Sequence, residues 1–288
     1  MAGTRIRAAS GRMMGLFGTG DPIADRLVLM CHPTPGSGSF DPDPTVTSRW
    51  GVHLAGLDRP GYGATDALDD PADASMRELV EDLASFIEYT MKTADTISKA
   101  DYTQVGLIGW GTGAAVAASL AERHPERIDR LAIVSAPAER DIPKAARRAL
   151  IAPHSIEALH VDPADPALDS RLGLRNRLER MVDEAYLQGK AGIEADRYLM
   201  ADASWSRDLG AIRAKTALFF GEQDSFADGD DAAWWQQQIP GATLSLSPRA
   251  GHLVLATEWE AILQHVAPNH GDVAEDQRDH GHPVMPRL

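Results

Sequence analysis

The sequence predicts an α/β fold in which a mostly parallel sheet carries helices on both faces. Short apolar runs such as "RLVLMCH", "VGLIGW" and "TALFFG" recur along the chain, and such runs are typical of strands buried on both faces. Stretches with helical spacing of apolar residues alternate with these runs, which favours parallel strands joined by helices. Binding and catalytic sites of such sheets lie at the carboxyl ends of the strands.

Composition limits the classes of function. The chain has 288 residues, of which 43% are hydrophobic and 24% are charged, so one large domain with an insertion is expected. The net charge of -14, without a basic cluster, argues against nucleic acid or a membrane surface as a partner. With one cysteine, no leader-like segment and no apolar run of about 20 residues, we expect a cytoplasmic protein. The expected partner is a small molecule, no cofactor or metal is expected, and the oligomeric state stays open.

Changes of pattern divide the chain into five parts. These are an N-terminal segment of residues 1–25, a first core part of residues 26–138, a helical insertion of residues 139–213, a second core part of residues 214–268 and a disordered tail of residues 269–288. In the N-terminal segment, "GRMMGLFGTGD" predicts an edge strand. The tail lacks periodicity, and its histidines His270, His280 and His282 are expected to be inert toward metals.

The first core part is expected to alternate strands and helices. Apolar runs predict strands at residues 26–32, 50–57, 103–110 and 130–137. A helix is predicted from Met76 to Met91, after the S-x-x-E capping box of Ser75 and Glu78. A second helix, rich in small residues, is predicted from Thr112 to Arg123.

The strand pattern stops at residue 139 and returns after residue 213, which predicts a helical cap inserted between two strands of one sheet. Apolar side chains of this cap are expected to pack on the core and to line part of a pocket. Strand patterns follow in "TALFFGEQD" and "ATLSLSPRAGH", and the last helix is predicted in "TEWEAILQHVA".

Five loops lie at the predicted carboxyl ends of the strands. They read "HPTPG" from His32, "DRPGYGAT" from Asp58, "GWGTG" from Gly109, "GEQD" ending at Asp224 and "GH" ending at His252. In this order, with a helical block before the fourth, they resemble the loops of the α/β-hydrolase fold superfamily over roughly residues 27–266. The resemblance implies an α/β-hydrolase fold with a cap and activity on a small apolar ester, lactone or related carbonyl compound.

The resemblance also implies roles for individual residues. His252 is expected to be the general base, Asp224 its orienting acid, and the backbone N–H groups of Thr34 and Thr112 the donors of an oxyanion hole. The nucleophile position of the G-x-S-x-G elbow falls on Gly111.

Other residues near these loops have weaker assignments. Trp110 and His32 are the candidate substrate-binding residues, although packing beneath the end of the sheet competes with ligand contact for Trp110. Asp141 is a reserve candidate for the acid. Asp58 and Arg59 are expected to form a structural pair that holds their loop.

Glycine at the elbow keeps the turn but removes the hydroxyl, which excludes a serine acyl-enzyme. No substitute nucleophile is evident, since Cys31 is expected to be buried and inert. Three interpretations remain open. In the first, His252 and Asp224 activate water, or abstract a substrate proton, without a serine.

In the second interpretation, the protein is a non-catalytic pseudo-hydrolase that binds a ligand or another protein. The local sequence "GWGTGA" is similar to the glycine-substituted elbow of the N-myc downstream-regulated family, which is regarded as non-catalytic. In the third interpretation, Gly111 replaces the serine of an ordinary serine hydrolase, natively or by engineering.

Overall fold

An eight-stranded sheet forms the centre of the protein in the computed structural model, which describes residues 4–97 and 104–271. Its strands are β1 (Thr4–Arg7), β2 (Met13–Gly20), β3 (Leu27–Cys31), β4 (His53–Leu57), β5 (Val105–Trp110), β6 (Ile128–Val134), β7 (Lys215–Gly221) and β8 (Thr243–Ser247). The order across the sheet is β1-β2-β4-β3-β5-β6-β7-β8. Strands β3 to β8 pair in parallel, while β1 and β2 are antiparallel, which confirms the predicted mostly parallel sheet.

Helices cover both faces of the sheet. The described helices are α1 (Pro44–Trp50), α2 (Met76–Ile97), α3 (Gly113–Arg123), α4 (Ile142–Ala149), α5 (Ala167–Ser170), α6 (Leu174–Ala185), α7 (Ala191–Leu199), α8 (Gly229–Gln238), α9 (Val254–Thr257) and α10 (Trp259–Val266). Helices α2, α3 and α8 contribute to the apolar core on one face. Helices α1 and α10 contribute to the core on the other face.

Helix α1 was not predicted, and the expected start of the second strand at residue 50 is wrong. The Asp43 side chain accepts the N–H groups of Thr45 and Val46, and Pro44 begins the helix. Gly51 ends the helix with a φ of 64°, so the strand begins only at His53. The missed signal was the Asp-Pro pair, which also favours turns.

The two ends of the described chain are more ordered than the sequence indicated. The N-terminal segment forms the β1–β2 hairpin rather than a single edge strand. At the other end, the Gly271 N–H donates to the Trp50 carbonyl at 3.1 Å. The Nε2 atom of His270 donates to the Asp25 carboxylate at 2.8 Å. The rest of the predicted tail, with His280 and His282, lies outside the described residues.

The cap lies between β6 and β7 in the chain and contains α4, α5, α6 and α7. Its apolar residues join the cores of both faces, with Leu178 and Met181 on one side and Ile142 and Leu199 on the other. Over residues 4–97 and 104–271, no helix has the length and apolarity needed to cross a membrane. The same residues contain no group of three or more histidine, cysteine or acidic side chains placed to hold a metal ion.

Candidate active site

In the turn between β5 and α3, where the sequence predicts the elbow, the backbone lies close to that of the neighbouring strands. Gly111 has a φ of 56°, a conformation that glycine adopts at little cost, and its N–H donates to the Val134 carbonyl at 3.0 Å. At Gly113, an added Cβ would lie 2.2 Å from the carbonyl oxygen of Cys31. Helix α3 therefore begins directly against the end of β3, which places the elbow at the carboxyl edge of the sheet.

His252 and Asp224 form a hydrogen-bonded pair at the same edge. Asp224 follows β7 and His252 follows β8, and the Nδ1 to Oδ2 distance is 2.9 Å. The other carboxylate oxygen of Asp224 accepts the N–H groups of Phe226 at 2.8 Å and Ala227 at 3.1 Å. His252 is 4% exposed and Asp224 is 5% exposed.

The Asp224 carboxyl is held in its ionised form. Burial raises its pKa, but the charge and hydrogen bond of His252, together with the backbone N–H groups of Phe226 and Ala227, outweigh burial. The net result is a pKa below the ordinary value. Because Asp224 is hydrogen-bonded to Nδ1, the Nε2 atom is the ring nitrogen of His252 that is left for acid–base chemistry.

The Nε2 atom of His252 faces the position that a nucleophile would occupy. A Cβ added to Gly111 would lie 4.0 Å from this atom and 3.3 Å from the Cβ of Pro33. A hydroxyl one bond beyond that Cβ comes within hydrogen-bond reach, about 2.8 Å, of Nε2. These distances are what the predicted roles of His252 as the base and Gly111 as the nucleophile position require, although Gly111 carries no hydroxyl.

Thr34 and Thr112 lie side by side at this position. Their hydroxyl oxygens are 2.8 Å apart, and both residues are buried. Among the described residues, neither backbone N–H donates to a protein acceptor. Two uncommitted amides next to the nucleophile position are what an oxyanion hole requires.

A buried polar network joins this region to the cap. Asp196 of α7 forms a salt bridge with Arg59, at 2.5 Å between Oδ2 and the nearer guanidinium nitrogen. The same carboxylate accepts the hydroxyls of Thr34 at 2.5 Å and Tyr62 at 2.7 Å. The Thr112 hydroxyl donates to the Thr34 hydroxyl. The Asp196 carboxylate of the cap therefore contacts Thr34 directly and is linked to Thr112 through the Thr34 side chain.

Arg59 also anchors the first loop directly. Its guanidinium donates to the carbonyl of His32 at 2.5 Å and to that of Pro33 at 3.0 Å. The expected pairing of Asp58 with Arg59 is wrong, because Asp58 accepts the backbone N–H groups of Gly38 and Ala64 instead. Asp58 thus ties its own loop to the loop that carries Thr34, and Arg59 holds the latter loop as well.

The two candidate substrate-binding residues lie close to the site but are engaged by the protein. His32 donates from Nδ1 to the Pro33 carbonyl at 2.9 Å and accepts the Arg59 N–H on Nε2 at 3.2 Å. Burial and the charge of Arg59 lower the pKa of His32. The Trp110 ring is fully buried and lies 5.6 Å from the Phe40 ring. Ligand contact by His32 and Trp110 stays a prediction.

Two further residues were considered for catalytic roles, Asp141 as an acid and Cys31 as a nucleophile. Asp141, the residue before α4, pairs with Lys144 at 2.5 Å and with Arg140 at 3.1 Å. Cys31 is buried, and burial raises the pKa of its thiol to about 12. A thiol with that pKa carries no appreciable thiolate at neutral pH and is a poor nucleophile.

Sequence reasoning missed two strained residues at the site. Within the described ranges, Ser135 and His160 are the non-glycine residues with positive φ, at 41° and 61°. Ser135 follows β6 and is fully buried, and its hydroxyl has no partner among the described groups. His160 ends a short turn of the cap and lies near His252. Backbone strain at a non-glycine residue leaves no pattern in a single sequence.

Known proteins share this sequence pattern and this fold. The hydrolase family described as serine aminopeptidase, S33 matches residues 37–259. Pimeloyl-(acyl-carrier protein) methyl ester esterase from Chromobacterium violaceum is 27% identical over 239 residues, which cover 77% of this chain and 84% of that protein.

Two solved structures have the same fold. The enol-lactonase from Burkholderia xenovorans LB400 has a TM-score of 0.70 and 19% identity, over 92% of this chain and 98% of that one. An esterase from Exiguobacterium antarcticum has a TM-score of 0.64 and 17% identity, over 91% and 97%. At these identities the likeness shows the fold alone. Because the family match spans most of the sequence, the chain belongs to the serine aminopeptidase S33 family and has the α/β-hydrolase fold.

Proposed function

We propose that this protein hydrolyses a small ester or lactone, with water as the nucleophile, His252 as the general base and Asp224 as its orienting acid. One observation carries the proposal. Nδ1 of His252 is bonded to Asp224, while Nε2 lies 4.0 Å from the Cβ position of Gly111, where the nucleophile belongs. The names of the relatives, a methyl ester esterase and an enol-lactonase, support the class of substrate.

The proposed reaction needs no covalent intermediate. Water beside Gly111 gives a proton to Nε2 of His252 while its oxygen attacks the carbonyl carbon of the substrate. The N–H groups of Thr34 and Thr112 donate to the oxyanion that forms. When the tetrahedral intermediate collapses, His252 returns the proton to the leaving alkoxide, and the products are a carboxylic acid and an alcohol.

The proposed mechanism places its water molecule next to Gly111. Apart from the adjacent residues, only Pro33 and His252 bring a described atom within 4 Å of the Cβ position. We expect slow turnover, because removal of a triad member from a serine hydrolase leaves a rate of only about 10³ to 10⁴ over the uncatalysed reaction.

A non-catalytic pseudo-hydrolase is the second candidate. It is favoured by Gly111 itself, because the position of the serine nucleophile carries no hydroxyl. The third candidate is a serine hydrolase whose nucleophile was replaced.

Hydrolysis of p-nitrophenyl esters and lactones by four chains distinguishes the candidates. Wild-type activity that His252→Ala abolishes and Ser135→Ala leaves intact supports the water mechanism. An inert wild type beside an active Gly111→Ser, with a burst of one p-nitrophenol per chain, indicates a lost nucleophile. If all four chains are inert, the dyad mechanism is wrong and the result favours the non-catalytic pseudo-hydrolase. Loss of activity in Ser135→Ala would contradict the proposal, because the water mechanism gives Ser135 no role.

A further inference from the structure

His160 has a left-handed backbone conformation, which is unusual for a residue other than glycine. It follows a 3-10 turn, Ile156–Leu159, and has a φ of 61° and a ψ of 22°. For a residue with a Cβ, the left-handed region is unfavourable by about 1–2 kcal/mol. Strain of this kind persists where the surrounding structure holds a side chain in a particular place.

Two aromatic contacts define that place. The His160 ring stacks on Phe226 with a centroid distance of 3.5 Å and an interplanar angle of 4°. Phe226 meets His252 edge to face at 5.2 Å, and His160 lies 6.3 Å from His252 at an angle of 81°. These three distances form nearly a right angle at Phe226. His160 is therefore stacked over Phe226, at one side of the His252 ring.

The His160 ring is polar, neutral and incompletely bonded. Its Nε2 atom is buried and has no hydrogen-bond partner among the described residues. Burial, and then the charges of His252 and Arg148, lower the pKa of His160 to about 3, against a smaller opposing effect of Asp224. A neutral imidazole has one N–H donor and one acceptor, so a buried Nε2 without a partner is unfavourable unless a ligand supplies one.

We infer that His160 is a ligand-contacting residue, which the cap places beside His252 and which hydrogen-bonds to an oxygen of the substrate. The substrate class becomes an ester or lactone with a further oxygen near its carbonyl group, rather than a plain alkyl ester. The inference rests on the proposed site but not on water as the nucleophile, because the contact exists with either nucleophile.

Two matched pairs of esters test this contact. p-Nitrophenyl methoxyacetate and p-nitrophenyl butyrate differ by an oxygen in place of a methylene in the acyl part. 2-Methoxyethyl acetate and butyl acetate differ in the same way in the alcohol part. His160→Gly suits the backbone and removes the ring, and His160→Gln restores a polar atom near the Nε2 position. The cap residue His154, which pairs with Asp183 and stacks on Tyr186, gives the control His154→Gly.

We expect the ratio of kcat/KM values within one pair to fall about tenfold in His160→Gly, as one hydrogen bond implies. His160→Gln should recover part of this ratio, and His154→Gly should keep it. The ratios are measured in the wild type and in Gly111→Ser, so a failure of the water mechanism does not affect the outcome. Unchanged ratios in both pairs would overturn the inference.

A second measurement needs no turnover. In His252→Ala labelled with 15N-histidine, methyl methoxyacetate should shift the Nε2 resonance of His160 at concentrations where methyl butyrate does not. His154 resonances serve as the internal control. Equal responses of His160 to both esters, or no response to either, would contradict the contact.

Discussion

The 2.5 Å salt bridge between Arg59 and Asp196 joins the cap to the loop that carries Thr34. Both residues are almost fully buried, at 3% and 1% exposure. Loss of one partner leaves a buried charge without compensation. We therefore expect Asp196→Asn to lower the free energy of unfolding by about 3–5 kcal/mol in urea titrations.

Two variants calibrate this loss. Tyr62→Phe removes one hydrogen bond to Asp196 and should lower the free energy of unfolding by about 1 kcal/mol. Glu194→Gln breaks an exposed pair with Arg197 on the same helix and should lower it by about 0.5 kcal/mol or less. If Asp196→Asn is no more destabilising than Glu194→Gln, the network does not hold the cap.

Substitutions at Gly111 should weaken the fold by a modest amount. The φ of 56° is strained for any residue with a Cβ, so Gly111→Ser and Gly111→Ala should each lose about 1–2 kcal/mol in thermal or urea unfolding. Gly189 has a φ of 65° with nothing within 4 Å of its Cβ position, so Gly189→Ala measures the backbone strain alone. An additional loss at Gly111 reports the 3.3 Å contact with Pro33, and no loss at either glycine would contradict the strain.

The buried Asp58 carboxyl should make stability depend on pH. Burial raises its pKa from 3.8 to about 6. Between these values the folded state binds a proton that the unfolded state does not, so the contribution of Asp58 to stability falls as pH rises from 4 to 6. The shift corresponds to about 3 kcal/mol.

The comparison with Asp58→Asn isolates this effect. The unfolding free energy of the variant, minus that of the wild type, should rise between pH 4 and pH 6 and then level off. The rise should be independent of any constant loss caused by the changed hydrogen bonds with Gly38 and Ala64. A flat difference over this range would show that Asp58 is ionised in the folded protein at pH 4.

Cys31 should be unreactive in the folded protein. Its thiol is buried and its pKa is raised to about 12, so iodoacetamide at pH 8 should leave it unlabelled for hours in the native state. In urea the same thiol should be labelled within minutes, as mass spectrometry can show. Rapid native labelling would mean that β3 opens to solvent.

The sequence predicts the parts of the site that depend on local patterns. Strands followed by glycine-rich loops are visible in β5 and the turn after it, and Asp224 and His252 are predicted from the resemblance of the loops that follow β7 and β8. Helix α1 was missed because its start, Asp43-Pro44, is also a turn signal. Helix α8, with the capping box of Asp228 and Asp231, was missed because its pattern is short.

Contacts between residues that are far apart in the chain could not be predicted from the sequence. Arg59 and Asp196 are separated by 137 positions, and the aspartate lies among the many acids of the cap. The stacking of His160 on Phe226 depends on how the cap folds back on the core, which no local spacing encodes. The residues that connect the two parts of the site were therefore visible only in three dimensions.

Under the proposed mechanism, the attacking atom at Gly111 comes from the solvent and not from the chain. In a serine hydrolase the attacking atom is the hydroxyl oxygen of the serine side chain. Here only Pro33 and His252, among the described non-adjacent residues, come within 4 Å of the Cβ position. Under the proposed mechanism, methanol or hydroxylamine entering that space would compete with water for the substrate carbonyl. The ratio of acid, methyl ester and hydroxamate among the products would then follow the concentrations of water, methanol and hydroxylamine.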